Sequence, residues 1–400
     1  MKKIKVGRET ICAADAVIED DIRPHLMPVY ATSTYLYESP EKAAKSFLGK
    51  NEQPFIYGRW SHPNAKLIEQ KIAALESYGM KNNATALAFG SGMAAISALF
   101  QGLLNTGDAV LAQGNIYGTT IDYLNFFSKK FGIQVIYADL SKIEEVDLIL
   151  KRNKSIKLIY GESPSNPTIR CLDLFKLQKV AKKYKCKTCI DNTFCTAIIQ
   201  QPLAFGIDFV VYSATKFING HGNSLAGVIV SGDAEFMQNT FYKIRKLHGS
   251  IISPFDAWIL NNGIKTLPLR MEAHSKNALR LAEFVSTHPK VKKVYYPGLP
   301  QDSDHNIAKK QMKYFGGMLA FEIKGGRKEA FRVLRRLRLC RLTASLGTCD
   351  TLIQHPASMS HSFVPPQQRE QYQITEGLLR MSVGLENPDD LIEDLSQALS

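Results

Sequence analysis

Short apolar runs alternate with helical patterns from about residue 84 to residue 232, and this alternation predicts the core of the protein. Neighbouring runs begin roughly 20 to 30 residues apart, which leaves room for one connecting helix between them. Such a β-α-β series predicts a mostly parallel sheet of seven strands with helices on both faces. The predicted strands are residues 86–89, 109–113, 133–139, 157–162, 187–191, 208–213 and 227–232.

The segments on either side of this series have different patterns. Residues 1–63 are irregular and rich in proline and aromatic residues, and such an arm cannot bury its own apolar side chains. We therefore expect the arm to contact a neighbouring subunit. Beyond it, residues 64–265 form the main domain. A long helix over 269–287, two apolar strands, a basic helix and a last helix over 388–399 predict a smaller α/β domain over residues 266–400.

Composition restricts the class of protein. Among 400 residues, 45% are hydrophobic and 22% are charged, as in a folded globular protein. The net charge of +13 raises the question of a nucleic-acid or membrane surface. However, the densest basic stretch, Val333 to Arg341, alternates arginine with apolar residues, as an element with one buried face does. We therefore predict no nucleic-acid partner, and interpret the excess charge as attracting small anionic molecules.

No apolar run approaches the ~18 residues of a membrane span, and the basic start MKKIKVG is not followed by an apolar signal core. We therefore predict a cytoplasmic protein without a membrane partner. The seven cysteines lack the regular spacing of a disulfide framework. Cys186 and Cys189 have CxxC spacing, but no second pair or nearby histidine completes a zinc site, so no metal is expected.

The segment SATKFINGHGNSLAG, Ser213 to Gly227, places Lys216 directly after the apolar strand DFVVY. The carboxyl edge of an open α/β sheet is where ligands bind. A lysine amine partly removed from water can lose its proton there and form a Schiff base, while Ser213 and Thr215 offer hydroxyls to an anion such as phosphate. A solvated loop lysine would have the same sequence context, and this segment alone does not separate the two interpretations.

A glycine-containing turn follows the first strand. Gly92 and Met93 open an alanine-rich helix, and backbone amides at such a helix start bind phosphate. Gly90, Gly92 and Ala95 also fit a dinucleotide-binding fingerprint, which would indicate a nicotinamide-dependent oxidoreductase. That fingerprint requires an acid at the end of the next strand, and this strand ends in Gln113.

Asp191 ends the strand KTCID and is followed by Asn192 and Thr193. An acid at a strand's carboxyl end occupies an active-site position in this architecture, although a helix-capping aspartate has the same pattern. If Gly92 holds a phosphate and Lys216 forms a Schiff base, Asp191 is placed to pair with a protonated pyridine nitrogen. Pyridoxal 5′-phosphate (PLP) requires this set of groups.

These motifs resemble the cysteine and methionine metabolism (trans-sulfuration) family of PLP enzymes, which includes methionine γ-lyase, cystathionine γ-lyase and β-lyase, cystathionine γ-synthase and the O-acylhomoserine sulfhydrylases. The resemblance extends from YGRWSHPN at 57–64 to LLRMSVGLE at 378–386. It implies an α/β fold type I PLP-dependent transferase with a seven-stranded sheet domain and a smaller C-terminal domain. It also implies an amino-acid substrate and a homotetramer built from two active dimers.

The resemblance further implies a role for each matching residue. Lys216 would hold the cofactor as a Schiff base and then move protons on the substrate, and Tyr117 would stack on the ring and assist departure of the γ substituent. Among the other positions, Gly92, Met93, Ser213 and Thr215 would hold the phosphate from within the subunit, Tyr57 and Arg59 would reach the phosphate of a neighbouring subunit, Asn166 would contact the ring oxygen, Asp191 the ring nitrogen, and Ser345 and Arg380 the substrate carboxylate.

The implied reaction is γ-elimination from a sulfur amino acid, methionine or homocysteine-like, giving a thiol, 2-oxobutanoate and ammonia. The segment DTLIQHPASMSHS at 350–362 resembles methionine γ-lyases most closely. Thr119 stands where those enzymes typically carry cysteine, and Ala344 where enzymes of cystathionine usually carry glutamate. The alternatives are γ-replacement on O-acylhomoserine, cystathionine cleavage, and a chiefly binding role, against which retention of Lys216, Asp191 and Arg380 argues.

Overall fold

Two β-sheets organise the protein, which a computed structural model describes over residues 6–15, 24–50 and 54–400. The larger sheet contains β1 (Thr85–Phe89), β2 (Ala109–Gln113), β3 (Gln134–Ala138), β4 (Ile156–Glu162), β5 (Lys187–Asp191), β6 (Phe209–Ser213) and β7 (Gly227–Ser231). The smaller sheet contains β8 (Val291–Tyr295), β9 (Met318–Ile323), β10 (Arg341–Leu342), β11 (Leu352–Gln354) and β12 (Leu378–Ser382). The strands of the larger sheet fall within a residue or two of their predicted positions.

Helices precede, connect and follow the strands of both sheets. They are α1 (Arg8–Ala13), α2 (Pro40–Phe47), α3 (Pro63–Glu76), α4 (Gly92–Leu103), α5 (Gly118–Phe131), α6 (Ile143–Arg152), α7 (Leu174–Lys183), α8 (Thr196–Ile199), α9 (Ala234–Phe236), α10 (Lys243–His248), α11 (Pro254–Lys265), α12 (Leu267–Thr287), α13 (His305–Gln311), α14 (Gly326–Arg336), α15 (Pro366–Gln371) and α16 (Pro388–Leu399). A π-helical segment, Met237–Tyr242, joins α9 to α10, and two 3-10 segments cover Pro202–Phe205 and Pro356–Ser358.

The larger sheet has the strand order β1-β7-β6-β5-β4-β2-β3 and is mostly parallel, as predicted. The strands β2, β3, β4, β5 and β6 run parallel to one another. Strand β7 is the exception, because it pairs antiparallel with both β1 and β6. The connection from β6 to β7, residues 214–226, contains no helix and turns the chain straight back. Lys216 lies in this turn, at the carboxyl edge of the parallel strands.

The smaller sheet has the order β10-β11-β12-β9-β8, with antiparallel pairs throughout except between β10 and β11. Its strands all follow residue 266, and the long helix α12 begins at Leu267, next to the boundary predicted from the sequence. The α/β fold with a second, smaller sheet is therefore confirmed, while the domain limits themselves stay a prediction.

The predicted arm has two parts in this structure; its residues 1–5, 16–23 and 51–53 lie outside the described ranges. Helix α1 packs against its own chain: Cys12 is fully buried, and Asp15 forms ion pairs with Lys71 at 2.7 Å and Lys265 at 3.1 Å. In contrast, Leu36 is 95% exposed, and Phe47 and Leu48 are also exposed. Among the described residues of the arm, these three are the most exposed large apolar side chains, and a subunit contact would cover them.

The basic stretch at the end of α14 has the predicted buried face. Val333 and Leu334 are buried, whereas Arg335 and Arg336 face solvent. No helix among the described residues is long and apolar enough to cross a membrane. All seven cysteines are free, including Cys186 and Cys189, and the described part of the chain contains no group of three or more His, Cys, Asp or Glu arranged to hold a metal.

Candidate active site

A cavity of about 570 Å³ lies at the carboxyl edge of the larger sheet. Residues from both the larger and the smaller sheet line it. It brings together ten of the twelve residues that the sequence predicts for the site, namely Gly92, Met93, Tyr117, Asn166, Asp191, Ser213, Thr215, Lys216, Ser345 and Arg380. These residues lie far apart in the sequence. They converge because parallel strands end at one edge of a sheet, where the turns that follow them meet.

The amine of Lys216 is the central basic group of the cavity. It donates a hydrogen bond to the hydroxyl of Ser345 at 2.9 Å. Burial lowers the pKa of Lys216 to about 8, and the positive charge of Arg380 acts in the same direction. A substantial fraction of the amine is therefore neutral near pH 8, as a nucleophile or a proton acceptor must be.

Ser345 connects this amine to the arginine of the smaller sheet. Its φ angle is +106°, which is unusual for a residue other than glycine. In this conformation the Ser345 hydroxyl accepts from Lys216, while its carbonyl accepts from Nη2 of Arg380 at 2.7 Å. A strained backbone conformation of this kind persists where the surrounding contacts impose it. Here it lets the Ser345 hydroxyl bond to Lys216 while the Ser345 carbonyl bonds to Arg380.

Arg380 lies on β12 and is only 4% exposed. Its Nη1 donates to Asn166 Oδ1 at 2.9 Å. When the side-chain amide of Gln354 is assigned with its oxygen toward Arg380, that oxygen accepts from Nη1 at 3.0 Å and Nη2 at 3.2 Å. Burial lowers the pKa of Arg380 to about 10, so the group stays charged at neutral pH. All the acceptors named here, including the Ser345 carbonyl, are neutral, which leaves the positive charge available to an anionic substrate group.

Asp191 ends β5, and its Oδ1 accepts from the backbone N–H of Thr193 at 3.0 Å. Burial raises the pKa of Asp191 to about 6. Its neighbour across the strands is Glu162, the last residue of β4. Burial, with a smaller effect from Asp191, raises the pKa of Glu162 well above its ordinary value, so two adjacent carboxyl groups do not both ionise readily.

Glu162 is a site residue that the sequence reasoning missed. Its two oxygens accept from the backbone N–H groups of Tyr117 at 2.7 Å and Asn166 at 2.9 Å. It therefore fixes the position of two residues that face the cavity. The positional rule that identified Asp191, an acid at the end of a predicted strand, applies equally to Glu162 and would have identified it.

The N-terminus of α4 approaches the turn after β6 so closely that it requires glycine. A Cβ atom on Gly92 would lie 2.8 Å from the Cβ of Ser213. The side chain of Ser91 caps the helix by accepting from the N–H of Ala94 at 3.1 Å. The N-terminal end of α4 thus faces the cavity with its helix dipole, next to Ser213, which is a favourable place for a phosphate.

Thr215 holds the lysine turn in shape. Its hydroxyl accepts from the N–H of Ala226 at 2.9 Å and donates to the carbonyl of Ala226 at 3.2 Å. This oxygen lies at the cavity but is already bonded to backbone. Thr215 therefore stabilises the turn that carries Lys216, and its predicted phosphate contact stays a prediction.

Tyr57 and Arg59 do not line the cavity of their own chain. Both are exposed, the Arg59 guanidinium lies 5.5 Å from the centre of the Tyr57 ring, and it donates a hydrogen bond to the carbonyl of Lys246. Their predicted contact with the phosphate of a neighbouring subunit stays a prediction.

Comparison with known proteins identifies the family. The sequence matches the family described as Cys/Met metabolism PLP-dependent enzyme over residues 10–400. It is 42% identical over 400 residues to an L-methionine gamma-lyase of Fusobacterium nucleatum subsp. nucleatum, covering 100% of this chain and 99% of the relative. An O-succinylhomoserine sulfhydrylase of Pseudomonas aeruginosa is 39% identical over 377 residues, covering 94% of this chain and 91% of the relative.

A solved structure supports the same family. The cystathionine gamma synthase of Xanthomonas oryzae pv. oryzae, in complex with cystathionine, has a TM-score of 0.92 and 32% identity, covering 99% of this chain and 98% of that chain. The cavity fits the cofactor of the family, since it combines a half-buried amine of lowered pKa at Lys216, a half-buried carboxyl group at Asp191 and a helix N-terminus opened by Gly92. The chain belongs to the Cys/Met metabolism family of PLP-dependent enzymes, and pyridoxal 5′-phosphate is its cofactor.

Proposed function

We propose that the protein catalyses γ-elimination on methionine or a homocysteine-like amino acid, giving a thiol, 2-oxobutanoate and ammonia. One observation carries this proposal. Among the described residues that line the cavity, the acids and bases are Glu162, Asp191, Lys216 and Arg380. The last three are assigned to the cofactor or the substrate carboxylate, and Glu162 accepts from the backbone N–H groups of Tyr117 and Asn166. The rest of the lining, including Ala344 and Met359, is uncharged and suits a short neutral side chain on the substrate.

The residues of the cavity would hold the cofactor as follows. Lys216 would carry it, the N-terminus of α4 at Gly92 and the side chain of Ser213 would take its phosphate, Asp191 would pair with its ring nitrogen, and Tyr117 would cover its ring. When bound, PLP supplies an electron sink for carbanion chemistry on the amino acid. The direct neighbours of these groups, Glu162 and Thr215, hold them in place.

Three side chains of the cavity would then act on the substrate. Arg380 would clamp the substrate carboxylate, because Asn166, Gln354 and the Ser345 carbonyl already orient its guanidinium. The amine of Lys216, with its lowered pKa, would remove the α proton of the substrate. Tyr117 would give a proton to the leaving sulfur, since its backbone is fixed by Glu162 and its side chain lines the cavity.

Replacement of the γ substituent is the second candidate reaction. Thr119 lines the cavity in place of the cysteine that is typical of methionine γ-lyases, and one relative carries the name O-succinylhomoserine sulfhydrylase. Cystathionine cleavage is less favoured, because Ala344 offers no charge to a distal ammonium group of the substrate.

A substrate panel tests the proposed reaction. Purified holoenzyme is incubated with methionine, homocysteine, cystathionine, cysteine and O-acylhomoserine, with and without sulfide, and 2-oxobutanoate, newly formed homocysteine and thioether products are measured. Without added sulfide, we expect 2-oxobutanoate together with a thiol from methionine, or with hydrogen sulfide from homocysteine. If products form only from O-acylhomoserine and only when sulfide is present, the function is γ-replacement and not γ-elimination. The Lys216→Ala protein serves as the background control.

Ala344→Glu tests the specificity argument. The new carboxylate beside Ser345 would meet the distal ammonium of cystathionine, so the ratio of kcat/KM for cystathionine to that for methionine should rise by about 10-fold. Ala344→Gln is the matched control, since it adds the same bulk without charge and should not raise the ratio. An equal change in both variants would show that size rather than charge governs the choice at this wall.

The same proposal extends to assembly and location. We infer an active unit of two subunits, assembled into a homotetramer, because Tyr57 and Arg59 do not line the cavity of their own chain and the arm exposes Leu36, Phe47 and Leu48. A cytoplasmic location is consistent with seven free cysteines, six of which are buried.

A further inference from the structure

A buried polar network lies behind the active-site edge of the larger sheet. Its central members are Glu76, Tyr212 and Asn192, each at most 1% exposed. Glu76 is the last residue of α3, Tyr212 lies in β6, and Asn192 follows β5 directly. None of the three lines the cavity. Burying polar side chains costs free energy unless they form hydrogen bonds with one another.

The contacts form a continuous chain from α3 to the sheet. The Tyr212 hydroxyl donates to Oε2 of Glu76, and Oε1 of Glu76 accepts from the backbone N–H of Leu203 at 3.3 Å. Nδ2 of Asn192 donates to the Tyr212 hydroxyl at 3.0 Å. The side chains of Asn192 and Gln200 also bond to each other, with Oδ1 of Asn192 accepting from Nε2 of Gln200 at 3.0 Å.

The chain of contacts ends on three strands, each at its carboxyl end. Nε2 of Gln200 donates to the carbonyl of Ser163, the residue after β4, at 2.7 Å. Asn192 is the residue after Asp191 in β5, and Tyr212 is the residue before Ser213 in β6. Because neighbouring residues of an extended chain point to opposite sides, Asp191 and Ser213 line the cavity, whereas Tyr212 bonds to α3 and Asn192 bonds to Tyr212.

We propose that Glu76, Tyr212 and Asn192 are positioning residues that hold Asp191 and the turn after β6 at the distance the cofactor requires. Apolar packing would also fill this space, but it is not directional and would leave the ends of the strands free to slide and tilt. Hydrogen bonds fix them in a single arrangement. The proposal rests on the assignment of Asp191 to the cofactor ring.

Tyr212→Phe tests the proposal, because it keeps the volume of the ring and removes only the hydroxyl that joins Glu76 to Asn192. We expect the equilibrium dissociation constant for PLP to rise by about 10-fold, and the pH dependence of the visible absorption of the bound cofactor to shift. Glu76→Gln, a second variant that keeps a neutral acceptor for Tyr212, should weaken PLP binding by only about two- to three-fold. If Tyr212→Phe does not fold, the PLP affinity of Glu76→Gln tests the proposal instead.

Tyr296→Phe is the matched control. Tyr296 is also fully buried, and its hydroxyl bonds to the carbonyls of Ser275 at 3.2 Å and Gly316 at 3.0 Å, neither of which belongs to the ends of the three strands or lines the cavity. It should lower Tm about as much as Tyr212→Phe while leaving PLP affinity and the absorption spectrum unchanged.

Three outcomes are distinguishable. Weaker PLP binding and a shifted spectrum in Tyr212→Phe, but not in Tyr296→Phe, support the positioning role. Wild-type PLP binding and spectrum in both Tyr212→Phe and Glu76→Gln overturn it. Asp191→Asn separates this failure from a failure of the proposed site, since unchanged PLP binding and spectrum in that variant would overturn the role of Asp191 itself.

Discussion

Lys216→Ala is expected to lower kcat by about 10⁴-fold or more, with the protein still folded. The amine is the basic group that lies among the cofactor and substrate positions, bonded to Ser345 and close enough to Arg380 for their charges to repel. Its removal takes away the attachment point of PLP and the acceptor of the α proton together. It also relieves that repulsion, so Tm should not fall below that of the wild-type protein without PLP.

The measurements are the release of 2-oxobutanoate, Tm, and the mass of the protein after chemical reduction, which reports covalently attached cofactor. Lys216→Arg is the matched control, because it keeps the positive charge but cannot be deprotonated near neutral pH, and it should be as inactive as the alanine variant. Retained turnover, or covalent attachment of PLP in Lys216→Ala, would refute the assignment of the amine.

Mixing Arg59→Ala subunits with Lys216→Ala subunits is expected to restore activity that neither variant has alone. If Arg59 serves the neighbouring subunit, the Lys216 of an Arg59→Ala subunit meets an intact arm from its Lys216→Ala partner. Each mixed dimer then has one complete site. With random assortment in an equimolar mixture, about a quarter of all sites become functional.

The control is a mixture of Arg380→Ala and Lys216→Ala subunits. Arg380 and Lys216 line the same cavity of one chain, so every site in that mixture lacks one of them and activity should not return. Native mass spectrometry shows whether mixed dimers form. Mixed dimers without recovery in the Arg59 experiment would mean that the arm does not act across the subunit boundary.

The positions of the strands in the larger sheet could be predicted closely because a buried strand is recognisable in the sequence. All five residues of β2, Ala109–Gln113, are buried, and such a strand appears as an uninterrupted apolar run between turns. The direction of β7 could not be predicted in the same way. Its residues are equally apolar in either orientation, and only the path of the turn from 214 to 226 reverses the chain.

The residues of the site likewise include some that the sequence could predict and some that it could not. Lys216, Asp191 and Gly92 were identified because each combines an unusual residue type with a position at the end of a strand or the start of a helix. Gln354 was overlooked, since nothing in its local sequence indicates that its side chain will bond to Arg380 in the neighbouring strand. Contacts between strands depend on register, which is a property of the folded sheet.

The sequence by itself determined which segments are buried, where strands end and which side chains can do chemistry, because these depend on local patterns of apolar, glycine and charged residues. Only the tertiary structure decided that the Lys216 amine lies 2.9 Å from the Ser345 hydroxyl and that Glu162 stands beside Asp191. It also decided the pKa of these groups, since desolvation and neighbouring charge come from residues that are distant in sequence and meet only when the sheet and the C-terminal domain close around the cavity.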